Sequence, residues 1–152
     1  MKNRAKAKTS ITILIADDDD EDRMLTEEAL EENQLSDRLY FVEDGEEVMD
    51  YLNRIGKYAD VKKYPTPELI LLDLNMPKKD GREVLAEIKK DPSLRGIPVV
   101  VLTTSSSDED IEKMYGLGVN SYITKPFSYS GMVLAMKSIK EYWLDIVTLP
   151  KR

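Results

Sequence analysis

The run IPVVVLT, residues 97 to 103, is unbroken apolar from Val99 to Leu102 and rich in β-branched side chains. A strand with one wetted face alternates apolar and polar residues, whereas a continuous run suits a strand covered on both faces, the environment of a parallel sheet. Four further short runs share this character: ITILIA (11 to 16), LYFV (39 to 42), LILLDL (69 to 74) and SYIT (121 to 124). Between them lie segments with helical spacing, at about 20 to 33, 45 to 55, 82 to 90, 107 to 117 and 128 to 145. In the last of these, Met132, Met136, Ile139 and Trp143 recur at helical intervals and form a core-facing stripe. The order βαβαβαβαβα predicts an α/β domain, a doubly wound five-stranded parallel sheet with five helices and right-handed crossovers. Punctuation agrees: Asp44 and Gly45 open the second helix, Gly81 precedes the third, and Asp91 with Pro92 closes it. The longest connection, GKYADVKKYPTP (56 to 67), is polar with two prolines and reads as a surface loop.

With 152 residues the chain suits one domain with a substantial core, over residues 11–145. A basic tail (1–10) precedes it, and the tail 146–152 is too short for an output domain. The 22 basic and 29 acidic side chains leave a net charge of -7, and with 41% hydrophobic residues in periodic segments the chain is not a disordered acidic polymer. An acidic surface disfavours nucleic acid, and the opening MKNRAKAK is not followed by the apolar segment of a signal peptide. No run approaches the roughly 18 to 20 apolar residues of a membrane span, so a cytoplasmic protein is expected. Without cysteine or histidine there is no disulfide, thiolate ligand, imidazole ligand or histidine base. Any metal must be hard and held by oxygen.

In doubly wound sheets, ligands collect at the carboxyl ends of the strands. Asp17 and Asp18 fall there after the first strand, Asp73 at the third, Thr103 at the fourth and Lys125 just past the fifth. Three neighbouring carboxylates need compensation, and Mg²⁺, which takes a few carboxylates, a carbonyl and waters, suits them best. An ammonium beside such a site is redundant for the metal but suited to an incoming phosphoryl group. Asp73, alone at the end of a buried strand, is the candidate nucleophile, forming an acyl phosphate, with Thr103 and Lys125 on the phosphoryl oxygens. Alone, each residue has a plain reading as cap, strand residue or solvated lysine; their convergence at one sheet edge favours the chemical one. Within the run of six acids from Asp17 to Asp22, the remaining four read as first-turn acids of a helix, with Asp19 at the boundary.

Jointly, IADD, LLDLNMPKKDG, VVVLTT and YITKPF, in this order, resemble the receiver domains of two-component response regulators, CheY-like domains of strand order 2-1-3-4-5. The resemblance spans about residues 11 to 145. It implies that Asp73 accepts a phosphoryl group from a phosphohistidine of a sensor histidine kinase. It implies Mg²⁺ held by Asp17, Asp18, Asp73 and the backbone carbonyl of Asn75, and a cis peptide between Lys125 and Pro126. It further implies a switch in which Thr103 moves to the phosphoryl group and Tyr122 turns inward, rearranging the face of helix four, strand five and helix five. That face would signal by protein contact or form a homodimer, without turnover of an external substrate. Thr104 departs mildly from the family, which prefers a small residue there, and Asn75 and Ser105 occupy positions that tune acyl-phosphate hydrolysis. The long loop before strand three, PKKDGREVLAEIKKDP, VNSYITKP and EYWLDIVTLP look like the stand-alone receivers paired with bacterial phytochrome-type kinases.

Other functions fit less well. A haloacid dehalogenase type phosphatase places its nucleophile after the first strand with an acid two positions on, where this chain has Asn75. A flavodoxin-like FMN carrier would meet repulsion between its phosphate and the acids of the first loop. A degenerate receiver that only binds partners would have no need of the intact set of Asp17, Asp18, Asp73, Thr103 and Lys125.

Overall fold

The computed structural model describes residues 11–35 and 38–146; the expected tails 1–10 and 146–152 lie outside these, apart from Ile146. Five parallel strands, β1 (Ile13–Ala16), β2 (Leu39–Val42), β3 (Leu69–Leu72), β4 (Val99–Thr103) and β5 (Ser121–Thr124), form one sheet in the order β2-β1-β3-β4-β5. The doubly wound sheet of the sequence reading is therefore present, with each connection carrying a helix: α1 (Asp20–Glu32), α2 (Gly45–Leu52), α3 (Gly81–Lys90) and α4 (Asp108–Gly116). The closing helix is α5 (Tyr129–Lys140). β2 and β5 match the read runs, while β1, β3 and β4 are shorter because their runs overshoot the ladder at one end. α5 gives way at Glu141 to a π-helical turn, Glu141–Ile146.

Every residue of β1, β3 and β4 is buried, as continuous apolar runs require. Alternate residues serve opposite cores. Leu14, Ala16, Ile70, Leu72, Val99 and Val101 pack with side chains of α2, α3 and Met114 of α4. Ile13, Ile15, Leu69, Leu71, Val100 and Leu102 pack with Ala29 and Leu30 of α1 and with the Met132, Met136, Ile139 and Trp143 stripe. Each buried Val, Leu, Ile or Met among them contributes about 1.5 to 3 kcal/mol. A one-residue register slip would exchange the two sets, so the register is tightly specified.

Side chains cap each helix. Asp19, Asp44, Asp80, Ser107 and Ser128 each accept a backbone amide of the first turn, and Asp80 with Glu83 forms a capping box. Gly81 opens α3 where only hydrogen fits: a Cβ there would lie 2.2 Å from the carbonyl oxygen of Asp73. Its amide donates to the Leu74 carbonyl at 2.8 Å, holding α3 against the turn that follows β3.

The segment read as a surface loop is anchored rather than merely solvated. A short 3-10 helix, Gly56–Ala59, buries Tyr58, whose ring meets Tyr51 at a tilt and Tyr64 edge to face, and Tyr40 joins the group edge-on. Arg54 binds the Tyr58 and Tyr64 carbonyls and the Thr66 hydroxyl. Polar composition hid these anchors because tyrosines set among lysines and prolines carry no period.

Candidate functional site

Parallel pairing aligns the carboxyl ends of β1 and β3 (Ala16 opposite Leu72) and of β3 and β4 (Leu72 opposite Val101). Asp17 and Asp73 are each the first residue past their strand, and Thr103 ends β4 with no exposed surface. The Lys125 amide donates to the Thr103 carbonyl at 2.7 Å, carrying the side chain of the residue after β5 toward the same edge. Its Nζ lies 2.6 Å from Asp17 Oδ2 and 3.3 Å from Asp73 Oδ2, with all three residues buried. Asp17, Asp18 and Asp73 each place a carboxylate oxygen within 4.8 Å of the others, Asp18 being exposed and the other two buried. This oxygen set, open to water on the Asp18 side, fits a hard divalent cation.

The electrostatics fit one too. Burial pushes the Asp17 carboxyl up to about 6, against the hydrogen bonds it accepts from Lys125 and from the Asp19 amide. A carboxylate held with so little compensation gains from added positive charge. Burial also works against the Lys125 ammonium, but hydrogen bonds to Asp17 and Asp22, and the charges of Asp17 and Asp73, outweigh it. The lysine stays charged well above its ordinary range.

Asp22, expected only among the first-turn acids of the helix, joins the site. Its Oδ2 accepts from Lys125 Nζ at 2.8 Å. The signal was positional: α1 begins at the sheet's carboxyl edge, so its first turn borders the cleft. Asp19, by contrast, is a cap, its Oδ1 accepting the Asp22 amide at 3.0 Å. Arg23, also on α1, donates to the Asp17 carbonyl at 2.7 Å and steadies that turn.

Asn75 is exposed, its amide 3.4 Å from Asp73 Oδ1. Thr104 is exposed beside Thr103 and borders a cavity lined also by Asp22, Lys125, Pro126 and Phe127, of about 640 Å³. Tyr122 is half-buried against the core, and its hydroxyl donates to the Ser105 carbonyl at 2.8 Å. One expectation is corrected: no cis peptide occurs among the described residues, and Lys125–Pro126 is trans. Trans is the lower-energy isomer by about 0.5 to 1 kcal/mol before any tertiary contact acts. The trans chain already brings Lys125 Nζ to Asp17 and Asp73.

No helix among the described residues is long and apolar enough to cross a membrane. The model of the response regulator receiver domain matches residues 13–137. The response regulator Rcp1 of Synechocystis sp. is 45% identical over 138 residues, spanning 91% of this chain and 92% of Rcp1. Among solved structures, the phosphorylated cyanobacterial phytochrome response regulator RcpA superposes with a TM-score of 0.86 at 48% identity, covering 93% of this chain and 99% of that one. The Mn²⁺-bound form of Rcp1 gives 0.83 at 44% identity over 93% of this chain and 99% of its own. A 2-1-3-4-5 sheet, acids at the ends of β1 and β3 and a lysine reaching them from β5 thus coincide with relatives of matching length, and the chain belongs to the response regulator receiver domain family.

Proposed function

We propose that Asp73 is the phosphoacceptor of this regulator, receiving a phosphoryl group from the phosphohistidine of a sensor histidine kinase. The observation that carries this reading is the buried Lys125 ammonium set among Asp17, Asp22 and Asp73, next to three carboxylates able to share a cation. One Asp73 carboxylate oxygen attacks phosphorus as the phosphorus–nitrogen bond breaks, leaving an acyl phosphate and an imidazole. Lys125, 3.3 Å from Asp73 Oδ2, is within reach of a phosphoryl oxygen carried there, and the Thr103 hydroxyl takes another. Asp17, Asp18, Asp73 and the Asn75 carbonyl would hold Mg²⁺, which when bound would supply positive charge against that building on the transferred group. Rcp1 crystallised in a Mn²⁺-bound form, which supports a divalent ion at this acidic edge.

The kinase is of phytochrome type, a reading supported by the likeness to RcpA. The protein works in the cytoplasm and turns over no external substrate; its output is the face of α4, β5 and α5, used in protein contact or in a homodimer. Treatment with acetyl phosphate and Mg²⁺ should add one phosphoryl mass to the wild type and none to Asp73→Asn. Beryllofluoride should perturb amide resonances around β4 and β5 of the wild type only. A wild type that gains no mass and ignores beryllofluoride would overturn the reading, and turnover of added phosphate monoesters would replace it with a phosphatase.

A further inference from the structure

The loop between β4 and α4 reads Thr104, Ser105, Ser106, Ser107 and offers no apolar side chain to the core, so hydrogen bonds must set its position. Ser105 carries most of them. Its amide faces Thr103 Oγ1 at 3.5 Å, its carbonyl accepts the Tyr122 hydroxyl at 2.8 Å, and its Oγ donates to Asp110 Oδ2 at 2.7 Å. Asp110, in the first turn of α4, is gripped in turn by Arg82 of α3: Nε to Oδ1 and Nη2 to Oδ2, each at 2.7 Å. This is the bidentate geometry that fixes a carboxylate's orientation as well as its charge. The carboxylate oxygen that takes Arg82 Nη2 is the one that takes the Ser105 hydroxyl.

We propose that Arg82 and Asp110 are positioning residues for the conformational response: their ion pair holds Ser105 where its carbonyl receives the inward Tyr122 and its amide sits beside Thr103. The proposal rests on the reading of Asp73 as phosphoacceptor and of Thr103 and Tyr122 as the responding pair. Neither Arg82 nor Asp110 touches the phosphoryl site, so their loss leaves the acceptor and cation ligands intact but lets the loop drift from the position that rewards the inward tyrosine. The pair acts at the receiving end of the signal, by stabilising one loop position over the alternatives.

The test titrates beryllofluoride, with Mg²⁺, into the wild type and into Arg82→Gln, Asp110→Asn, the double variant and Arg82→Lys, following the amides of Thr103, Ser105 and Tyr122. Each Gln or Asn variant should need roughly three- to tenfold more beryllofluoride for half-saturation, the range that single contacts along a coupled network command. The double variant should be no worse than the weaker single one, since both cut one link. Arg82→Lys, which keeps the charge but loses the fork, should fall between. Ser105→Ala, which frees the loop while leaving both helices and the ion pair in place, should weaken the response in the same way. Midpoints within about twofold of wild type, with the Ser105 and Tyr122 amides unmoved, would overturn the proposal even if melting temperatures fell, because a purely structural tie would do only that. A responsive wild type with unaltered variants removes this proposal alone, whereas a silent wild type removes the phosphoacceptor reading and this proposal with it.

Discussion

Lys125 and the acids around it illustrate how burial divides residues of identical chemistry. Asp17, 4% exposed, and Asp73, 7% exposed, face the ammonium; Asp18 lies open to water beside them. Removing the lysine would leave uncompensated carboxylates in a poorly solvated cleft, which is the costly half of any buried ion pair. Within the acidic run the division is sharper still. Asp18 keeps a carboxylate oxygen within 4.8 Å of those of Asp17 and Asp73, while Asp19 spends its Oδ1 on the Asp22 amide. Asn accepts that amide nearly as well as Asp does. Asp18→Asn should therefore weaken Mg²⁺ binding by about tenfold, from loss of one carboxylate ligand, and Asp19→Asn should change it little, as measured by calorimetric titration. Equal losses in the two variants would contradict the assignment of Asp19 as a cap.

At the scale of elements, a bidentate salt bridge from Arg82 to Asp110 ties α3 to α4 at the edge of the apolar core they share. Hydrogen bonds from Arg82 and Ser105 hold the Asp110 carboxyl well below the usual carboxylate range, though partial burial opposes them. A carboxyl depressed in the folded state contributes stability that is complete above its unfolded value, about 3.9, and is lost as pH falls through the folded value. Wild type should thus melt about 2 to 4 °C above Asp110→Asn near neutral pH. The gap should narrow steadily between about pH 4 and pH 2 as the unfolded chain's proton uptake cancels the advantage. A gap that stays constant over that range in thermal melts would show that Asp110 acts by packing and not by charge. Two helix ends, in contrast, were readable in advance: Asp44 before Gly45 and Asp91 before Pro92 are local signals, satisfied within a few residues of chain. Gly81 was readable only as punctuation. Its reason, the Asp73 carbonyl 2.2 Å from any added Cβ, belongs to the packing of α3 against the end of β3.

At the scale of the whole molecule, the two cores on either side of the sheet account for most large apolar side chains, and the exposed ones are spread over α1, the segment after α2 and the stretch from α4 to the π-helical turn after α5. Tyr115 on α4, Leu134 on α5 and Tyr142 in the π-helical turn are 49%, 63% and 49% exposed. The proposed output face therefore offers apolar area to a partner or to a second copy of the chain. If the second copy is the partner, beryllofluoride with Mg²⁺ should raise the weight-average mass toward a dimer as concentration increases, and Tyr142→Ser should lower that tendency. Light scattering that reports a monomer in both states at every concentration would remove the dimer and leave a heterologous partner as the output.

Sequence alone determined the α/β class, the strand runs, the ends of α2 and α3 at Asp44 and Asp91, and the set of residues Asp17, Asp18, Asp73, Thr103 and Lys125 at the sheet's carboxyl edge. Each of these depends on local periodicity or on an ordered set of short motifs, and short-range chemistry survives in a linear record. Tertiary structure decided the rest: that Asp22 joins Asp17 and Asp73 around Lys125, that the loop 56–67 is pinned by a cluster of tyrosines packed edge to face, that Lys125–Pro126 is trans, and that Arg82 reaches Asp110. Asp22 and Lys125 lie 103 positions apart in the chain, and Arg82 and Asp110 lie 28 apart. No local period encodes such distances; they follow from the order and register in which five strands pair, and from which helix each crossover lays against them.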